Sequence, residues 1–196
     1  MKKLFIAIIV IAVVVLGLFS WGKGVYNGFV QQQESVEAAW SQVENDYQRR
    51  ADLVPNLVAT VKGYAEHERE TLEAVLAARA SATQIKVDAD DLTPEKLQQF
   101  QQVQGELGAA LGRLIAVQEN YPDLKANQNF LQLQEQLEST ENRITVSRRD
   151  FNAAAQTYNT AIRTFPQNIF AGLFGFERKP YFEAAAGAQT APKVEF

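Results

Sequence analysis

From Leu4 to Gly22 the chain carries no charged side chain, and Leu4 to Phe19 (LFIAIIVIAVVVLGLF) is apolar without a break. As a helix, residues 4–22 would reach roughly 28 Å, close to the hydrocarbon thickness of a bilayer. Trp21 stands where an interfacial aromatic anchor is expected. We therefore predict a transmembrane anchor over 4–22 behind a short tail, 1–3. The competing reading is a cleaved signal peptide, with Met1-Lys2-Lys3 as basic region and Ser20-Trp21-Gly22 as a weak cleavage site. The apolar core is long for that role, and helical patterning resumes at once after Gly22 and Gly24, so an uncleaved anchor is favoured.

Lys2 and Lys3 precede the span, and only Lys23 follows it before Arg49. The positive-inside rule then puts the N-terminus in the cytoplasm and the domain outside a cytoplasmic (inner) membrane crossed once. Absence of cysteine fits an oxidising compartment without requiring one. The net charge of −4 becomes −6 once Lys2 and Lys3 are removed. No clustered basic face accompanies it, so nucleic acid is not an expected partner.

Beyond the anchor, the pattern is helical. Between about Tyr26 and Ile85, Trp40, Tyr47, Val54, Val61 and Val75 fall on one seven-residue series, and Val36, Val43, Leu57 and Tyr64 on its neighbour. Pro55 interrupts this stripe. A turn there would give four similar helices, but the phase is unbroken and no Gly or Asn-Gly signal accompanies the proline. One long helix kinked at Pro55 is the favoured reading. Residues 86–93 (KVDADDLT) form a solvated acidic loop without the EF-hand pattern. Thr93 and Pro94 then open a second helix, 94 to about 120. Gly105, Gly108 and Gly112 inside it suggest close approach of a neighbouring helix backbone.

A third helix, about 127–165, follows Tyr121-Pro122-Asp123, with Phe130, Leu137, Ile144, Phe151, Tyr158 and Phe165 in strict heptad. Pro166 stops it. Ile169, Phe170, Leu173, Phe174 and Phe176 then make a segment too apolar for a solvated linker, which either covers the open end of the bundle or forms a contact patch. Residues 184–196 have little to pack and are expected to be disordered. The predicted fold is all-α: an N-terminal transmembrane helix followed by an antiparallel bundle of three to four long helices over 26–183.

Arg49 to Leu57 (RRADLVPNL), Gly63-Tyr64 with His67-Glu68, Tyr121 to Ala126 (YPDLKA), Glu141 to Ile144 (ENRI), the run from Arg149 to Pro166, and Phe174-Gly175-Phe176 with Pro180 to Glu183 (PYFE) occur in this order. Together they resemble the signatures of the LemA family of bacterial membrane proteins, from the anchor to Glu183. The resemblance implies an N-terminal membrane helix and an antiparallel bundle described as four-helical. It implies no established activity. Family members have also been pictured with a cytoplasmic domain, and Lys2 and Lys3 are the reason for preferring the opposite orientation here.

The parts for common catalytic sites are missing. There is no cysteine, one histidine (His67, between Glu66 and Glu68), no Gly-x-Ser-x-Gly and no P-loop spacing. We expect no catalytic residues, no cofactor and no metal. Arg49-Arg50 and Arg148-Arg149 read as salt-bridge partners of nearby carboxylates, with an anion or lipid-headgroup site as the alternative.

The favoured function is a non-catalytic membrane-anchored scaffold that self-associates, binds other cell-envelope proteins, or both. The alternative is a membrane-surface or lipid-organising module acting through 169–176, and an enzyme is the least favoured class. Self-association is expected near the membrane. A continuous 26–85 helix would be roughly 90 Å long, the second helix could return only about 40 Å, and the third would head away again. Val36, Trp40, Val43 and Tyr47 would then stand uncovered until parallel copies met.

Overall fold

The computed structural model describes residues 2–183 and is all-α, with no strand among the described residues. α1 (Lys2–Lys62) contains both the apolar span and the first wall of the bundle. It is followed by α2 (Arg69–Gln84) and, after a 3-10 turn at Ala89–Asp91, by α3 (Pro94–Ala116). A second 3-10 turn and the short α4 (Pro122–Lys125) lead into α5 (Gln128–Arg163), then α6 (Gln167–Phe174). The expected tail, 184–196, lies outside the described residues.

α1 passes through Pro55 without ending, and Val54, Leu57 and Val58 around the proline are all buried. The expected 26–85 helix is nevertheless corrected, because α1 stops at Lys62. Gly63 follows, the Val61 carbonyl accepts from both Tyr64 N–H and Ala65 N–H, and the chain reverses before Arg69. The heptad stripe crosses this reversal because α1 and α2 share one core and each presents the same face to it.

The reversal makes the bundle four-helical and gives α5 the opposite sense from that expected. Asn127, whose Oδ1 caps α5 by accepting from Phe130 N–H at 3.0 Å, also donates from Nδ2 to the Tyr64 hydroxyl at 2.7 Å. α5 therefore starts beside the far end of α1 and runs antiparallel to it for about 54 Å, returning to the exit of the span. Thr93 caps α3 as expected, accepting from Lys96 N–H, with Pro94 in its first turn.

Two core clusters result. The distal one gathers Val54, Leu57 and Val61 of α1 with Leu72 and Val75 of α2, Leu107, Leu111 and Leu114 of α3, and Phe130 and Leu137 of α5. The one nearer the span holds Phe29, Val36, Trp40, Val43 and Tyr47 with Phe100, Ile144, Phe151, Tyr158 and Phe182. Each fully buried side chain of this size stabilises by about 1.5–3 kcal/mol. The glycine expectation is corrected: a Cβ at Gly105 or Gly112 would meet open space, and one at Gly108 would meet only an Arg50 guanidinium nitrogen at 3.7 Å.

Candidate functional site

The residues expected to stand uncovered are inside a single chain. Val36, Trp40, Val43 and Tyr47 are 1%, 1%, 0% and 5% exposed. The correction follows from the direction of α5, which brings Phe151 back onto this stretch while α3 contributes Phe100. Trp40 sits between their rings, at 5.5 Å and 5.3 Å, and stacks on Phe182 at 6.0 Å. Its indole N–H donates to the Val87 carbonyl at 2.8 Å. These four side chains offer no surface to a second copy.

The 169–176 segment divides into a covered and an open face. Phe170 meets Trp21 edge-on at 5.1 Å between ring centroids, and Phe176 packs on Phe29 at 5.1 Å. Gly22 makes the seat for Phe170, since a Cβ there would lie 2.8 Å from the ring. Phe174 touches Tyr26 at 5.0 Å yet remains 51% exposed, and Ile169 and Leu173 are 60% and 74% exposed. Phe165, the last member of the α5 heptad, falls beyond the end of that helix and is 76% exposed.

Arg50 is a buried charge of the bundle, 4% exposed. Nη1 reaches Glu141 of α5 at 3.0 Å, Nη2 donates to both the backbone and side-chain oxygens of Gln104 at 2.8 Å, and the guanidinium lies over the Tyr47 ring. It thus joins α1, α3 and α5. Arg49 is exposed, and Arg149 pairs with the adjacent Asp150. The salt-bridge reading of the arginine pairs describes Arg50 and Arg149, whereas Arg148 lies over the Phe182 ring and donates to the Glu183 carbonyl.

Sequence reasoning missed the device that holds Phe182. Asn159 accepts from Lys179 N–H and donates to the Lys179 carbonyl, at 2.9 and 2.8 Å. Seven residues earlier, Asn152 does the same for Phe182, at 2.8 and 3.0 Å. The available signal was the position of both asparagines, each directly following an aromatic core residue, Phe151 or Tyr158.

Between α1 and α5 an open groove of about 680 Å³ is lined by Gln42, Asp46, Glu138, Arg143, Ser147 and Asp150 among others. The Asp46 carboxylate accepts from Gln42 at 3.2 Å. Among the described residues no group of three or more His, Cys, Asp or Glu is placed to hold a metal. Burial pushes the Tyr47 phenol up, and burial with the nearby Glu177 raises that of Tyr158. Both stay protonated at neutral pH and serve packing rather than acid–base work.

Among the described residues, one uncovered apolar span continuous with an antiparallel helical bundle points to a membrane-associated helical protein. The chain belongs to the LemA family, whose model matches residues 39–196. It is similar to magnetosome protein MamQ 2 of Paramagnetospirillum magneticum, 31% identical over 186 residues, covering 84% of this chain and 67% of the relative. Magnetosome protein MamQ of Magnetospirillum gryphiswaldense is 29% identical with the same coverage. Protein LemA of Metamycoplasma hominis is 27% identical over 160 residues, covering 81% of this chain and 69% of the relative.

Proposed function

We propose that this chain is a non-catalytic scaffold anchored in the cytoplasmic membrane, which presents its bundle outside to other envelope proteins or to further copies of itself. The observation that carries this reading is the continuity of α1. Leu4 to Phe19 form an exposed apolar surface, and the residues from Val25 onward supply core. Span and bundle share one helix, so the bundle cannot swivel on its anchor without breaking backbone hydrogen bonds. A rigid mount suits presentation of a fixed surface. Lys2 and Lys3 against Lys23 support the outward orientation.

Extraction into native nanodiscs, followed by mass measurement and identification of co-purifying proteins, tests the reading. A defined homo-oligomer or a stoichiometric second protein is expected; a lone copy would overturn it. Single cysteines at Lys3 and Gln132, probed with an impermeant thiol reagent on spheroplasts, test the orientation. Labelling at 132 with protection at 3 is expected, and the reverse pattern would reject it.

A further inference from the structure

We propose that α6 is a second membrane contact, lying in the interfacial zone of the leaflet from which α1 emerges, with Phe165, Ile169 and Leu173 facing lipid. The inference rests on the membrane-spanning reading of α1. α6 is seated on α1 at Trp21 and Gly22, the last residues of the 4–22 segment, through Phe170. Its level along α1 is thereby that of the bilayer interface. There Trp21, Tyr26, Phe170 and Phe174 form one aromatic cluster, the side-chain type that suits the headgroup region.

The face turned away from α1 is apolar. Phe165, Ile169 and Leu173 recur at spacing four and are each at least 60% exposed. No charged residue occurs from Thr164 to Phe176, and the run is bounded by Arg163 on one side and by Glu177-Arg178-Lys179 on the other. A short uncharged helix with an exposed apolar face suits a segment lying in the plane of a bilayer surface. Lipid already surrounds this level of α1, so no partner need be recruited to cover the exposed side chains.

The cysteine-free chain makes the test direct. Leu173→Cys, Leu18→Cys and Gln132→Cys, each in the full chain, carry an NBD label in phosphatidylethanolamine/phosphatidylglycerol nanodiscs. Quenching is measured with nitroxide-bearing lipid and with aqueous iodide. Leu173 and Leu18 labels are expected to lose emission to the nitroxide and resist iodide, and the Gln132 label to do the opposite. A Leu173 label open to iodide means the face meets water, and one reached by neither quencher means a second copy or another protein covers it; either overturns the proposal. If the Leu18 label also escapes the nitroxide, the membrane-spanning reading of α1 fails with it; if Leu18 alone is quenched, that reading stands and only α6 is misplaced.

Discussion

Arg79 takes the hydrogen bond that Pro55 cannot make. In an α-helix residue 55 would donate to the carbonyl of residue 51, but proline has no N–H to give. The Ala51 carbonyl accepts instead from Arg79 Nε of α2, at 2.8 Å. The proline thus opens a backbone acceptor on α1 to which the returning helix docks.

Arg79→Ala should destabilise the bundle by about 1–3 kcal/mol, the cost of leaving a buried acceptor unmet. The same change in a Pro55→Ala background should cost clearly less, because the helix can then satisfy Ala51 itself. Urea denaturation of the four proteins measures the coupling, and strict additivity would refute the exchange.

Arg50→Ala should cost about 1–3 kcal/mol, since it strips Gln104 and Tyr47 of a buried partner. Arg50→Lys should recover little, because an ammonium cannot reproduce the fork that spans Glu141 and Gln104. Glu141 is 58% exposed, so Glu141→Ala should cost only about 1 kcal/mol. Equal losses at 50 and 141 would count against Arg50 as the joint of three helices.

Trp40→Glu with Val43→Glu should unfold the bundle. Loss of the indole alone costs about 3–5 kcal/mol, and both carboxylates would be buried without partners. Circular dichroism and mass measurement decide: a helical protein of reduced mass would restore these residues to an interface between copies.

Burial, with Asp88 beside it, raises the Glu44 carboxyl above the ordinary carboxylate value. The folded state then holds this proton more tightly than the unfolded chain does. This group's contribution to stability falls as pH rises through the carboxylate range and its raised folded value. Glu44→Gln should raise the melting temperature at pH 7, with the gain shrinking at pH 4. A gain that grows on acidification would contradict the burial.

The apolar helical run at the start of α1, the Thr93–Pro94 start and the α5 stripe from Phe130 to Tyr158 were legible because each is written in local spacing. The reversal after Lys62 was not, since a seven-residue phase continues across two helices that share a core. That one unseen turn inverted α5 and so misplaced Val36, Trp40, Val43 and Tyr47. The seat of Phe170 at Gly22 and the insertion of Phe182 beside Trp40 join residues more than 140 apart in sequence, and no spacing rule addresses contacts of that range.

The paired asparagine bonds also set the height at which Glu183 is held against α5. Segment 177–183 climbs back along α5 from α6 to Arg148, fifteen residues before the end of that helix, or about 22 Å of axial rise. Whatever is joined beyond Glu183 sets out from the flank of the bundle at that height. A reporter or binding module appended there would sample the space around the bundle waist, with the lipid surface at the edge of its reach.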